Sequence, residues 1–226
     1  MNTKELKEII SKHELWINED GGERADLRGA YLRDADLQGA NLRYANLRGV
    51  DMQGSDLRDA DFRRAHLQGA SLLDADLLRA KLPYADLRGA YFRDADLRGS
   101  DLRGAHLQGA YLGDTNLRDA DLQGAYLQGA YLQGADLQGA TLQGANLQGA
   151  DLPHGYGYYI FHRWRVTITP ELILIGCQSH SLETWQNFSD EKIAKMHPRA
   201  LEWWHENKEE VIKFAIETRE HKKGLN

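Results

Sequence analysis

Residues 25–39 read Ala25-Asp26-Leu27-Arg28-Gly29, Ala30-Tyr31-Leu32-Arg33-Asp34, Ala35-Asp36-Leu37-Gln38-Gly39, and the same five-residue frame continues without a slip to Leu152. With the large apolar residue taken as the centre, 26 repeats run from Leu27 to Leu152, and 23 centres are Leu; the others are Met52, Phe62 and Phe92. Two positions before each centre stands Ala, replaced only by Val50, Ser55, Ser100 and Thr115. A period of five matches neither a helix of 3.6 residues per turn nor a strand alternating every two. A continuous α-helix would scatter these leucines around its circumference and place a Gly in most turns, at about 1 kcal/mol each relative to Ala. A chain that turns one corner per repeat buries every Leu and Ala, so the period argues for a solenoid.

Leu-Arg-Gly-Ala and Leu-Gln-Gly-Ala then read as β-turns. Gly at the third turn position supplies the positive φ of a type II turn. Asp34, Asp59, Asp74, Asp94, Asp114 and Asp119 occupy the same position. Asp at that position tolerates other turn geometries and can bond its own backbone.

The A-(D/N)-L-x-x pattern resembles the pentapeptide-repeat family and covers 128 of 226 residues. The resemblance implies an all-β solenoid, a right-handed quadrilateral β-helix with four repeats to a coil. The 26 repeats then make six and a half coils. Stacked at a strand spacing of about 4.8 Å, the prism is on the order of 30 Å long.

Residues twenty apart stack on one face of such a coil. Just before the centres, one face carries Asp36, Asp56, Asp76, Asp96, Asn116 and Asp136, and another carries Tyr31, Asp51, Ser71, Tyr91, Tyr111, Tyr131 and Asp151. Carboxylates at regular spacing can occupy a groove built for phosphates. The resemblance extends to quinolone-resistance members of the family, which implies a DNA mimic acting on a type II topoisomerase, or by analogy on a host defence nuclease. A plainer reading is that Asp and Asn before the centre satisfy backbone amides at the corner while Arg and Gln solvate the next position. The 13 arginines of the segment include Arg58, Arg98 and Arg118 beside the Asp column. Tyr31, Tyr91, Tyr111 and Tyr131 offer contact area at low entropic cost, as protein interfaces use it.

The net charge of −6 is spread over the chain: residues 25–152 hold 14 basic against 18 acidic groups, and residues 153–226 hold ten of each. No segment is basic, so no direct nucleic-acid partner is expected. No apolar run approaches eighteen residues, no membrane is expected, and Met1–Leu6 lacks the apolar core of a secretory signal. The single Cys177 excludes an internal disulfide framework. Together these point to the cytoplasm.

Before the repeats, Leu6, Ile9, Ile10 and His13 mark one face of a helix from about Lys4 to Leu15, followed by Trp16, Ile17 and an acidic-glycine turn. Residues 1–24 are thus an N-terminal helical cap for the 25–152 β-helix. The entry segment His13-Glu14-Leu15-Trp16-Ile17 and Gly21-Gly22-Glu23-Arg24-Ala25 is similar to that of phage and bacterial family members. Residues 153–226 are a small C-terminal α/β module. Tyr158–Phe161, Arg165–Ile168 and Leu172–Cys177 read as strands with a hairpin, Ser181 and Ser189 as helix N-caps, and Pro198 as the opening of a longer helix. In that helix Leu201, Trp204, Lys208, Val211 and Ala215 form an approximate seam. Trp203 and Trp204 are assigned either to a small core or to a homodimer surface of this module.

Cys177 follows an apolar strand and reads as a buried structural thiol. With His180 it forms the best catalytic pair on offer, and no third orienting group accompanies it. His154, His162, His197, His205 and His221 show no metal-ligand spacing. The sequence therefore describes a non-catalytic protein-binding scaffold, without cofactor or metal, that engages a protein partner. The alternatives are a DNA mimic directed at a DNA-binding enzyme and an enzyme housed in the C-terminal module.

Overall fold

The computed structural model describes residues 1–161 and 164–220; His162 and His221 lie outside them. The chain divides into two compact units, Met1–Asp151 and Leu152–Asn226.

In the first unit every bridge joins residues twenty apart in parallel, from Asp26↔Asn46 to Tyr131↔Asp151. Five residues per side and twenty per coil give a four-sided β-solenoid. The backbone accounting explains the repeat. In the repeat centred on Leu87, Leu87 N–H donates to His106 O at 2.8 Å, Gly89 N–H to Gln108 O at 3.1 Å, and Ala90 N–H closes the turn onto Leu87 O at 3.0 Å. The next Asp/Asn position, Tyr91, donates back to Ala70 O at 2.9 Å. That places four of the five amides. Where Asp or Asn stands before the centre, the fifth, just after the centre, is taken by the carboxylate or amide oxygen two residues earlier: Gln38 N–H donates to Asp36, Arg98 N–H to Asp96 and Gln138 N–H to Asp136, at 3.0–3.2 Å. Short Asp and Asn side chains suit that bond.

The centres and small residues fill the interior, and Met52, Phe62 and Phe92 are fully buried with the leucines. The polar exceptions at the small position are buried too. Ser55 Oγ donates to Met52 O at 2.6 Å and Thr115 Oγ1 to Phe92 O at 2.9 Å, whereas Ser100 Oγ has no partner.

The six Asp residues at the third turn position share the left-handed φ of the glycine corners, with values between 55° and 61°, beside 62° at Gly29. The inter-coil bond of that residue's own N–H fixes the corner, and Asp tolerates the left-handed region better than most residues. Tyr44, Arg64, Arg79 and Tyr84 take the same conformation, with φ of 57–61°.

Helix α1 (Thr3–Ile17) precedes the repeats, with Asn2 and Glu5 forming a reciprocal capping box. Leu6 and His13 are its buried residues, and His13 Nδ1 accepts from the Ala25 amide at 3.1 Å. The acidic-glycine turn is pressed onto the helix: a Cβ at Gly22 would fall 2.1 Å from Lys12 O.

The second unit is an antiparallel sheet of β1 (Gly157–Phe161), β2 (Trp164–Ile168), β3 (Ile173–Ile175) and β4 (Gln178–His180) in chain order. Helices α2 (Leu182–Asn187), α3 (Asp190–Met196) and α4 (Ala200–Glu220) follow. Ser181 and Ser189 cap α2 and α3. Strand β4 is not apparent from sequence, because Gly176-Cys177 reads as the end of a strand and is instead a two-residue hairpin turn with Gly176 at φ 58°. Cys177 is therefore exposed in that turn, not buried. On α4 the buried seam is Ala200, Trp203, Trp204, Asn207, Val211 and Ala215. Leu201 and Lys208 stand outside it, and Asn207 bonds Trp203 O at 2.7 Å.

Candidate functional site

Each predicted Asp of the column Asp36, Asp56, Asp76, Asp96 and Asp136 accepts the amide two residues on. Four also meet an arginine. Asp56 binds Arg58 through both oxygens, and Arg58 Nε reaches Asp76 at 3.6 Å. Asp96 pairs with Arg98 at 2.5 Å and Asp136 with Arg118 at 3.3 Å. Hydrogen bonds from Arg58 hold the Asp56 carboxyl below the usual range. At Asp96 partial burial pushes up, and the bonds from Arg98 outweigh it to give a lowered pKa. A carboxylate occupied by its own backbone and by a guanidinium has few lone pairs left for a partner.

The tyrosine column behaves differently. Tyr91 and Tyr111 stack at 4.8 Å with planes 2° apart, and Tyr111 and Tyr131 at 4.9 Å and 5°. The ring spacing is the strand spacing of a β-structure, so the coil imposes the stack. Each ring remains 41–49% exposed. Tyr31 is not part of the ladder, since Asp51 and Ser71 separate it from Tyr91 in the column; it is 74% exposed.

Trp203 and Trp204 lie in the core of the second unit with Val166, Ile168, Ile173 and Ile175. Trp185 packs on Trp204 at 5.2 Å and donates to Ile173 O at 2.8 Å. His180 packs edge-on to Trp185 and Phe188, with Nε2 3.3 Å from Gln178 Oε1. Among the described residues no three His, Cys, Asp or Glu side chains are grouped to hold a metal, and no helix is long and apolar enough to cross a membrane.

The family model for pentapeptide repeats matches in eight copies over residues 23–59, 60–99, 95–133 and 120–154. The chain belongs to the pentapeptide-repeat family. Solved structures similar to this pentapeptide-repeat protein include HetL, involved in heterocyst differentiation regulation in Nostoc sp. strain PCC 7120, at 36% identity over 59% of this chain and 68% of that one, with a TM-score of 0.35. Rfr23 from Cyanothece 51142 is 29% identical over 52% of this chain and 90% of its own, with a TM-score of 0.42. The plasmid-mediated fluoroquinolone resistance protein QnrB1 is 20% identical over 55% and 67%, with a TM-score of 0.34. No curated protein matches the chain.

Columns taken only at the position before the centre miss one surface of this pentapeptide-repeat protein. Arg43, Arg63, Arg64, Arg79, Lys81 and Arg103 come from five repeats, and the coil gathers them around one concavity with Tyr44 and Tyr84. The signal in the sequence is Arg79-Ala80-Lys81-Leu82-Pro83-Tyr84, the repeats in which Asp, Arg and Gly are all replaced.

Proposed function

We propose that the protein is a non-catalytic, cytoplasmic protein-binding scaffold: a right-handed rod of about six and a half coils, closed at its first coil by α1, that docks a protein through the tyrosine ladder. The observation that supports it is the set of three parallel, half-exposed rings at Tyr91, Tyr111 and Tyr131. Rings already stacked lose little rotamer freedom on binding, which is what a recognition face needs. The DNA-mimic reading, with a type II topoisomerase or another DNA-binding enzyme as target, draws on the Asp column. The amide and arginine bonds of that column weigh against it. A homodimer through the C-terminal module draws on α4, where Ile216 is exposed while both tryptophans face inward.

Affinity capture from bacterial lysate, with mass-spectrometric identification, tests the reading on three full-length forms. They are the parent chain, Tyr91→Ser/Tyr111→Ser/Tyr131→Ser, and Asp36→Asn/Asp56→Asn/Asp76→Asn/Asp96→Asn. Ser71 already occupies the tyrosine column, so the serine form should fold. A partner lost only by the serine form supports the ladder. A DNA-binding enzyme lost only by the asparagine form replaces it with mimicry.

A further inference from the structure

On a rod with more acidic than basic groups, one face is cationic. Its concavity of about 630 Å³ is lined by six basic side chains and a single carboxylate, Asp101. Three of the six are committed: Arg63 to Asp61 at 2.5 Å, Arg79 to Asp59 at 2.9 Å, and Arg103 to Asp101 at 2.6 Å. Among the described residues the other three, Arg43, Arg64 and Lys81, have no carboxylate within 4.0 Å. They come from successive coils, so an anion spanning them covers about two coil spacings, roughly 10 Å.

Several features show that this face departs from the repeat at a cost to the fold. Tyr44, Arg64 and Tyr84 stack in one corner column where the next three coils carry Gly104, Gly124 and Gly144, and all six have positive φ. The left-handed region costs a non-glycine residue roughly 1–2 kcal/mol, and such strain concentrates at functional positions. The strained side chains are held in place. The Arg64 guanidinium lies 5.5 Å over the Tyr84 ring, and that ring lies over Gly104, where a Cβ would fall 2.5 Å from it. Arg43 Nε is sealed from solvent with no hydrogen-bond acceptor. Lys81 stands where Asp or Asn normally accepts the amide two residues on; here that residue is Pro83, which has no amide to satisfy. Proline at 83 thus releases position 81 from its structural duty, and a cation occupies it.

We propose that Arg43, Arg64 and Lys81 form a binding site for a compact oligophosphate. The guanidinium fork matches phosphate oxygens, and lysine adds a point charge. The cavity volume falls in the range of small-molecule sites. The faces of Tyr84 are covered by Arg64 and Gly104, so recognition rests on the phosphates and not on base stacking. Long nucleic acid is disfavoured, because residues 25–152 outside this concavity hold more acidic than basic groups.

The test is calorimetric titration of the full-length chain at physiological salt with tripolyphosphate, with ATP and with a hexaglutamate peptide. The variants restore the repeat pattern: Arg64→Gly and Lys81→Asp, singly and together. Arg118→Gln, two coils away on another face, is the control. The site predicts saturable one-to-one binding of tripolyphosphate, weakened about tenfold or more by each variant, as expected for loss of a charge-assisted bond. The double variant should abolish binding and the control should leave it unchanged. ATP binding as tightly as tripolyphosphate supports the phosphate chain as the recognised group, free or within a nucleotide. No saturable binding of either phosphate, equal affinity in the double variant, or binding of hexaglutamate alone overturns the proposal. Circular dichroism of each variant confirms that the fold is kept.

Discussion

The early and the late coils share one backbone and differ in almost everything else. From Gln123 to Gln148 the residue after each centre is Gln and the next is Gly, in every repeat. Between Asn41 and Gly104 the same positions hold Arg, Pro, Leu, Asp and Tyr as well as Gln and Gly, and four of the corner residues there, Tyr44, Arg64, Arg79 and Tyr84, sit in the left-handed region without being Gly or Asp. The inter-coil bonds are alike: Leu82 N–H to Asp101 O is 2.7 Å and Leu127 N–H to Asn146 O is 2.8 Å. The coil thus depends on the centre and the small residue, and Asp or Asn before the centre adds an acceptor for the fifth amide in the repeats that carry it. The two corner positions are free to vary, at a backbone penalty when they leave Gly and Asp, so a run of expensive corners marks a surface with another use.

The largest expected effect tests whether the two regions are equally well packed. Phe62→Ala, in the early coils, should cost about 3–5 kcal/mol, whereas Leu147→Ala in the last coils should fall toward about 2 kcal/mol. Urea unfolding of the two variants measures both, and equal losses would remove the distinction in packing.

Exchanging corners between the regions comes next. Arg64→Gly should raise stability by about 1 kcal/mol, and Gly124→Arg should lower it by a similar amount. Thermal and urea midpoints read the change, and a destabilising Arg64→Gly would show that the early corner carries no strain. A stabilised variant that has lost anion binding would place the cationic face among sites that trade stability for function.

The acceptor role is sharper still. Asp96→Ala leaves the Arg98 amide unpaired and should cost about 1 kcal/mol, while Asp96→Asn keeps the acceptor and should cost less than half of that. If both substitutions cost the same, the carboxylate's charge rather than its hydrogen bond holds the corner.

The smallest effect is local to the first coil. Burial pushes the His13 pKa down, helped by Arg24 and opposed by the Arg43 backbone and Glu14. Its Nδ1 must stay unprotonated to accept the Ala25 amide. Because the folded pKa lies below the unfolded value of about 6.5, the unfolded chain takes up the proton first. The contribution is therefore full above about pH 6.5 and is lost as pH falls below it. Amide exchange at Ala25 should speed up between pH 7 and 5 after correction for intrinsic rates, with exchange at Leu127 unchanged.

How much of this was legible in the sequence differs by region. The solenoid was, because one residue in five must be large and apolar and one small. The Asp position was legible as an amide acceptor, since Asp and Asn share the one feature the corner uses. Strand β4 was not, because a hairpin turn at Gly176-Cys177 and a strand end look the same until a partner strand is present. The core placement of Trp203 and Trp204 on α4 was one of two readings open from sequence, whereas the burial of Asn207 was hidden, since several apolar stripes compete on that helix.

By itself the sequence determined the coil, its twenty-residue stacking rule and the columns that follow, because a strict period fixes which residues become neighbours. Only the tertiary structure decided what those neighbours do to each other. It placed arginines against the Asp column, three tyrosines in contact, and six cations from five repeats around one concavity. Side-chain pairing depends on which rotamers reach across a coil spacing, and that distance exists only once the chain has wound.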